Sequence, residues 1–483
     1  MVAFTRRWLV RGAGLLLGVI ALVLVLRIYD VQRGPPLGPW HTVVPAEMTR
    51  AAMETADWRA WLAAEQAVME TVRREVTEAL DTPERVPVNR YFAGSPMHAP
   101  GFAQDWNRSF ILEPDGPPNG VAVFLHGLTD APFSMRHLAE AYRARGFLAI
   151  GIRMPGHGSV PAGLTDAVWE DWMAATRLAV RTARARLPEG PLHLVGYSNG
   201  GALALKHALD AVEDPRLPQA DRIVLLSPMV GVTAFARFAG IAGLPALLPR
   251  FAKTAWLDIQ PEFNPFKYNS FPVNAARQTH RLTAALQAQL DRLAVAGRLA
   301  GLPQVLTFQS VVDATVSTPA VLTALYARLP AGGEHEVVLF DLNRDIRFGP
   351  LFAPGADAAL ERIVAPAPRH YALTVIGTDG AGTVAARVMP AGATQAQVQP
   401  LGLSWPRDVF SLSHVALPFP PEDGLYGAQP APGDDFGVRL GALALRGERG
   451  ALVIGLDSFA RVTSNPFFPY IIDRLSEALP QPR

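Results

Sequence analysis

From about residue 108 onward, short apolar runs alternate with longer amphipathic stretches, and this alternation restricts the fold more than any other feature. Val121–Leu125, Leu148–Ile152 and Leu192–Val195 are apolar throughout and too short for helices, as is typical of buried strands. Helical stretches, Ser134–Arg145 and Trp169–Leu187, lie between them. Strands that are apolar on both faces and alternate with helices predict an α/β fold, with a mostly parallel central sheet and helices on both faces.

The alternation is interrupted once and then resumes. It continues through Ile223–Leu226 and returns at Gln304–Gln309 and His335–Phe340. Between these runs, residues 229–300 contain an apolar stretch and then a polar helix predicted over Ala275–Ala296. We interpret residues 229–300 as a helical cap inserted over the sheet.

A second insertion, at residues 346–405, has the pattern of strands. Tyr371–Ile376 and Thr383–Val388 flank Asp379-Gly380, a dipeptide typical of hairpin turns. The sequence therefore predicts a late β-hairpin insertion.

The amino terminus has the features of an export or membrane segment. Arg6, Arg7 and Arg11 precede an uncharged run, Gly12–Leu26, which Arg27 ends. A spanning helix needs about 20 apolar residues and a signal-peptide core about 7–15, so the run lies between the two cases. No small-residue cleavage pattern follows, which favours an uncleaved anchor. The arginines predict that the main domain of the chain lies on the outer, periplasmic-type side, and an exported soluble protein is the alternative.

We therefore divide the chain into residues 1–33, an anchor or signal segment; residues 34–100, a linker and an amphipathic helix; and residues 101–483, the α/β domain. Lys and Arg number 44 and Asp and Glu 43, and this near balance argues against a nucleic-acid partner. The absence of cysteine excludes disulfides, thiolate metal sites and cysteine nucleophiles. No metal is predicted, because the histidines lack a paired ligand spacing.

The chemistry is concentrated in the loops that follow the strands. Residues 196–200, G-Y-S-N-G, lie between a predicted strand and a predicted helix and match the nucleophile elbow G-x-S-x-G. Gly196 and Gly200 allow a turn that is too tight for side chains at the flanking positions. The turn lifts the Ser198 hydroxyl above the sheet, so Ser198 is the predicted nucleophile.

A second loop supplies candidate oxyanion donors. His126-Gly127-Leu128 directly follows the strand Val121–Leu125, and a turn made possible by Gly127 can present the Leu128 backbone N–H to a reacting oxygen. The other donor is the backbone N–H of Asn199, the residue after the nucleophile. His126 itself is interpreted as a structural side chain.

A serine nucleophile needs a base, and the base needs an acid to orient it. In chains with this elbow the expected order is serine, acid, histidine. Asp313 follows the strand Gln304–Gln309 and is the predicted acid, with Asp341 and Asp345, after the next strand, as rivals.

Three histidines lie downstream of Asp313. His335 opens a predicted strand and is therefore poorly placed to reach the catalytic end of the sheet. His370 begins a hairpin strand, where a histidine is more often a solvated edge residue. His414 lies in a loop at the end of the second insertion and is the predicted base.

With these motifs the chain resembles the α/β-hydrolase fold, and more narrowly the monoacylglycerol-lipase-like and lysophospholipase-like branch of serine hydrolases. Residues 153–159, R-M-P-G-H-G-S, match the P-G-H-G-x loop of that branch, and residues 229–300 correspond to its cap. The resemblance covers roughly residues 105–345 and the region of His414. It implies hydrolysis of carboxylic esters of lipids or small alcohols through a Ser-His-Asp triad and an acyl-enzyme, without metal or cofactor.

Two alternatives remain open from the sequence. Thioesterases, amidases and proline-type peptidases use the same triad on the same fold, because the pocket selects the leaving group. A non-catalytic, membrane-anchored binding protein would keep the fold with a broken triad. A lipid or lipid-like ester is favoured because an anchor and an apolar cap occur together.

Overall fold

The computed structural model describes residues 2–231, 244–344, 358–364, 368–378, 383–442, 461, 463–477 and 479. The strands in this part of the chain are β1 Phe110–Leu112, β2 Gly120–Leu125, β3 Phe147–Ile152, β4 Leu192–Tyr197, β5 Arg222–Leu226, β6 Trp256–Asp258, β7 Phe271–Pro272, β8 Gln304–Ser310, β9 Glu336–Phe340, β10 Ala372–Thr378, β11 Val384–Met389 and β12 Gln397–Pro400. The helices are α1 Val2–Arg33, α2 Arg50–Thr55, α3 Trp58–Val72, α4 Arg136–Arg143, α5 Gly163–Asp166, α6 Trp169–Arg186, α7 Asn199–Glu213, α8 Val273–Val295, α9 Thr318–Ala320, α10 Ala359–Ile363 and α11 Phe468–Ser476.

Ten of the described strands form one sheet, in the order β1-β3-β2-β4-β5-β8-β9-β10-β11-β12. Neighbours from β3 to β10 pair in parallel, and antiparallel pairs occur only near the two edges of this order. This arrangement confirms the predicted α/β-hydrolase fold class. The carboxyl ends of the parallel strands lie at one edge of the sheet, where the loops that carry chemistry are found.

Alternate residues of the central strands enter two separate cores. On β2, Val121 and Val123 pack with Trp172 of α6 in the core that also receives α7 and α8. Ala122 and Phe124 point the other way, into the core that contains residues of α4 and α11. Because successive side chains of a strand point to opposite faces, a strand covered by helices on both faces must be apolar throughout.

The cap region contains the predicted helix as well as structure that the pattern did not predict. The helix predicted over Ala275–Ala296 is α8, and it is preceded by the small antiparallel sheet of β6 and β7. Residues 232–243, part of the apolar stretch of the cap, lie outside the described residues.

The second insertion supplies strands to the central sheet. β10 and β11 form the predicted antiparallel pair, and their turn at Asp379-Gly380 lies outside the described residues. β10 also pairs in parallel with β9, and β12 extends the sheet beyond β11. The insertion therefore extends the central sheet, with β10, β11 and β12 following β9 in the strand order.

The segment before the sheet packs against it. The single amphipathic helix predicted within residues 34–100 is broken into α2 and α3, whose first turns are capped by the side chains of Thr49 and Asp57. Trp61 of α3 is fully buried in the core that contains β2 and α6. Within the described residues, none of the helices has both the length and the apolar character that crossing a bilayer requires.

Candidate active site

The elbow at residues 196–200 has the geometry that its sequence requires. β4 ends at Tyr197, α7 begins at Asn199, and Ser198 between them has φ 55° and ψ −115°, a conformation that non-glycine residues rarely adopt. A Cβ atom on Gly200 would collide with the carbonyl of Leu125, which explains the glycine at that position. Ser198 is thus presented at the end of β4 on a strained turn.

Neighbouring loops hold the backbone of the elbow in place. The Ser198 N–H donates to the carbonyl of Leu226 at 2.9 Å, and the Ser198 carbonyl accepts from the Met229 N–H at 2.9 Å. Thr129 and Ser227, in the loops after β2 and β5, also have positive φ values of 61° and 43°. Backbone strain of this kind persists only where the surrounding structure maintains it, and it often clusters at active sites.

The predicted acid and base form a hydrogen-bonded pair. His414 Nδ1 donates to Asp313 Oδ2 at 2.8 Å, although 101 residues separate the two along the chain. Asp313 Oδ1 also accepts the backbone N–H groups of Thr315 and Val316, at 2.7 and 2.9 Å. Burial alone would raise the pKa of Asp313, but His414 and these amides outweigh it, and the pKa lies below its ordinary value. A charged carboxylate therefore faces the His414 ring and keeps the proton on Nδ1.

Ser198 and His414 line the same cavity, which has a volume of about 300 Å³. The hydroxyl of Tyr197, the residue before Ser198, donates to the His414 carbonyl at 3.2 Å and so bonds the loop of His414 to the elbow. Leu128 also lines the cavity. Apolar and polar side chains share the rest of the wall, among them Met229, Phe271, Val415, Lys267, Thr279 and Arg461.

Two backbone amides are available as oxyanion donors. In the described part of the chain, the N–H groups of Leu128 and Asn199 have no hydrogen-bond acceptor. The Asn199 side chain is buried, and neither its oxygen nor its nitrogen has a partner among the described residues. Asn199 thus offers a free backbone N–H at the first turn of α7, where the helix dipole also favours negative charge.

His126 joins the loops after β2 and β3. Its Nε2 accepts the Met154 N–H at 3.0 Å, and its Nδ1 lies 2.9 Å from the Gly127 carbonyl, to which it donates. Burial lowers the pKa of His126 to about 3, so the ring is neutral and can serve as donor and acceptor at once. These bonds hold the Gly127-Leu128 turn against the loop after β3.

Residues 34–100 support that loop through a buried ion cluster. Arg153 is fully buried, and its guanidinium donates to both carboxylate oxygens of Glu47, at 2.7 and 2.8 Å. Arg153 Nε also donates to Glu65 of α3 at 3.1 Å. Glu47 accepts the Gly156 N–H at 2.8 Å as well. Residues 34–100 are therefore linked to the Gly127-Leu128 turn by the bonds of Arg153 and of His126.

The rival residues have other partners. Asp341 is paired with Arg344 at 2.8 Å, and Asp345 lies outside the described residues. His335 accepts the Val305 N–H at 3.2 Å, and His370 Nε2 donates to a backbone carbonyl at 2.9 Å.

Sequence reasoning missed a buried ion network between α4 and the segment that follows His414. Asp423, fully buried nine residues after His414, pairs with Arg136 at 2.7 Å and contacts His137 at 2.8 Å. Asp434 accepts from the same guanidinium at 2.6 Å. No sequence signal pairs these carboxylates with α4, because almost 300 residues lie between them.

Sequence reasoning also missed Lys267 and Arg461 in the cavity. Lys267 is one of only three lysines in the chain, where arginine is far more frequent. This rarity is the one sequence signal that could have drawn attention to Lys267. No group of three or more side chains able to hold a metal ion occurs among the described residues.

Comparison with known proteins places these features in a family context. Residues 116–331 match the model of a family described as "Serine aminopeptidase, S33". A thermostable monoacylglycerol lipase from a Bacillus species is 32% identical over 177 residues, which are 36% of this chain and 66% of that lipase, just under two thirds of its length.

The chain is also similar to parts of solved structures. A soluble variant of monoglyceride lipase from Saccharomyces cerevisiae matches 48% of this chain and 81% of its own, with 14% identity and a TM-score of 0.37. A monoacylglycerol lipase from Paleococcus ferrophilus matches 53% and 98%, with 18% identity and a TM-score of 0.35. The family match covers Ser198 and Asp313, whereas His414 lies beyond residue 331.

Proposed function

We infer that this chain, an α/β-hydrolase-fold protein that resembles monoacylglycerol lipases, is a serine hydrolase that cleaves carboxylic esters. The observation that carries the inference is the His414–Asp313 hydrogen bond beside a cavity that also exposes Ser198. A nucleophile on an elbow, a base and an orienting acid are the parts that acyl transfer requires. The similarity to the Bacillus lipase supports an ester as the substrate.

In the proposed mechanism, Ser198 Oγ attacks the ester carbonyl carbon and His414 Nε2 takes the hydroxyl proton. Asp313 holds the ring with its proton on Nδ1 and stabilises the imidazolium that forms. The N–H groups of Leu128 and Asn199 donate to the oxyanion of the tetrahedral intermediate. The intermediate expels the alcohol, which takes the proton from His414. Water then cleaves the acyl-enzyme by the same steps.

The charge of the cavity favours an ester over an aminopeptidase substrate. An aminopeptidase must hold the cationic amino group of a peptide, which calls for a carboxylate near the nucleophile. Within the part of the chain that the structure describes, the residues that line the cavity include Lys267 and Arg461 but no Asp or Glu. A positive wall would repel a free amino terminus.

A substrate panel tests this function. The full chain is offered 4-nitrophenyl esters of increasing chain length, monoacylglycerols, acyl-CoA and peptide anilides, and is labelled with a fluorophosphonate probe. We expect labelling and ester hydrolysis, with kcat/KM for esters above that for thioesters and anilides. Faster cleavage of anilides than of esters would overturn the ester assignment, and a folded protein without labelling or turnover would favour a non-catalytic binding role.

We further propose that residues 1–33 attach the protein to a membrane, with the catalytic domain on the outer side. Support comes from the arginines before the run Gly12–Leu26 and from the exposed side chains of Leu15 and Leu22 on α1. Fractionation of cells that express the full chain should recover ester hydrolysis in carbonate-washed membranes, accessible to external protease. Activity confined to the soluble fraction would contradict the attachment.

A further inference from the structure

The cavity beside Ser198 contains two cationic side chains that the ester mechanism does not use. Lys267 and Arg461 both line it, and none of the described residues that line it is Asp or Glu. A concave site with one sign of charge concentrates ligands of the opposite sign. The cavity therefore has an electrostatic preference in addition to its shape.

Lys267 is held in this position by its backbone. Its carbonyl accepts from Arg90 at 3.3 Å, and the N–H of the next residue, Tyr268, donates to the carbonyl of Thr129 at 2.7 Å. Thr129 directly follows the candidate oxyanion residue Leu128. The segment that carries Lys267 is thus bonded to the loop that would bind the reacting carbonyl oxygen.

The Lys267 ammonium has no ion-pair partner among the described residues. Burial raises the pKa of the Asp130 carboxyl and its electrostatic interaction with Lys267 lowers it, but no hydrogen bond or ion pair joins the two side chains. Because Lys267 lines the cavity and no bond to a described residue holds its ammonium, the lysine can interact with a ligand there.

Arg461 is positioned between the loops of the acid and the base. Its Nη2 donates to the Thr315 hydroxyl at 2.6 Å, and its carbonyl accepts from the Ser413 hydroxyl at 2.6 Å. A guanidinium carries five N–H donors, and the bond to Thr315 uses one of them. The remaining donors can bind the oxygens of an anion.

A buried hydroxyl completes the set of donors. Thr279 on α8 lines the cavity and is 3% exposed, and its Oγ1 has no hydrogen-bond partner in the part of the chain that the structure describes. An unpaired buried hydroxyl is unfavourable until a partner arrives. A bound anion would accept this hydrogen bond.

We propose that Lys267 and Arg461, together with the Thr279 hydroxyl, bind an anionic group, a phosphate or a carboxylate, that the ester substrate carries. The proposal rests on ester hydrolysis at Ser198 and names the substrate class for it. Hydrogen bonds from cationic donors to an anion are roughly twice as strong as neutral ones, so the anionic group increases kcat/KM.

Two matched substrate pairs test the proposal and separate its two anion sources. In one pair, a monoacylglycerol is compared with its 3-phosphate, which carries the charge on the alcohol side. In the other, 4-nitrophenyl valerate is compared with the mono-4-nitrophenyl ester of glutaric acid, which carries it on the acyl side. We expect kcat/KM to favour the anionic member of at least one pair by about tenfold or more, and less so at high salt.

Variants at Lys267 decide whether the lysine causes that preference. K267M is expected to lower the anionic-to-neutral ratio about tenfold, and K267R to restore most of it. Lys206 pairs with Asp210 and does not belong to the lining of the cavity. The variant K206M is the matched control, because it removes the same charge away from the cavity, and it should leave the anionic-to-neutral ratio unchanged. Hydrolysis that requires Ser198 but shows no anionic preference, or one that K267M does not reduce, would overturn this inference alone. Hydrolysis that survives S198A would instead overturn the proposed function.

Discussion

Replacement of Ser198 by alanine is expected to lower kcat for ester hydrolysis by several orders of magnitude, on the order of 10⁴- to 10⁶-fold. The variant loses the oxygen that would form the acyl-enzyme, while the cavity and the candidate oxyanion amides stay in place. Residual turnover above the uncatalysed rate is expected from those groups. Because triad members act as a unit, H414A should lose nearly as much activity as S198A.

His370 offers a matched control for the base, because it is another histidine downstream of Asp313 and its ring donates to a backbone carbonyl. Steady-state kinetics and fluorophosphonate labelling of S198A, H414A and H370A, each checked by circular dichroism, test the assignment. H370A should retain wild-type labelling. Labelling that persists in H414A and disappears in H370A would make His370 the base and contradict the proposed triad.

The second large effect concerns stability. Replacement of Arg153 by methionine is expected to lower the free energy of unfolding by about 3–5 kcal/mol, because it leaves Glu47 and Glu65 without the charge that compensates them. Arg153 is fully buried and Glu65 is 2% exposed, so solvent and salt do little to screen the charges of this pair. Denaturant unfolding followed by circular dichroism measures the change.

Arg186 provides the control for this prediction. It pairs with Glu113 at 2.6 Å, but the two side chains are 46% and 56% exposed. Exposed pairs contribute about 0–1 kcal/mol, so R186M should unfold within that range of the wild type. Equal stabilities of R153M and R186M would show that the buried cluster contributes no more than a surface pair.

Local signals in the sequence were sufficient to predict the fold class and the position of the elbow. The strands are short and fully apolar because helices cover both faces of the sheet, and the motif at residues 196–200 occupies one turn. Asp313 and His414 were selected by their order and by the loops in which they lie. The hydrogen bond between them is a contact that the fold creates over 101 residues.

Contacts between distant segments could not be predicted in the same way. Glu47 and Glu65 belong to a segment that the sequence describes as a linker and an amphipathic helix. Their ion pairs with Arg153 form only when that segment packs against the sheet. The predicted hairpin of the second insertion gave no sign that β10 would pair with β9, because strand partners depend on the whole sheet. Lys267 lacks a local motif, and the bond between Tyr268 and Thr129 determines its place.

An open sheet of ten described strands leaves two edges that could recruit a strand from another molecule. One edge is β1, which has three residues. The other is β12, Gln397–Pro400, whose four residues are all exposed and whose last residue, a proline, has no N–H to donate. Short edges that end in proline are poor templates for β-aggregation. The extra strands thus enlarge the sheet without creating a long edge that would promote fibril-like association.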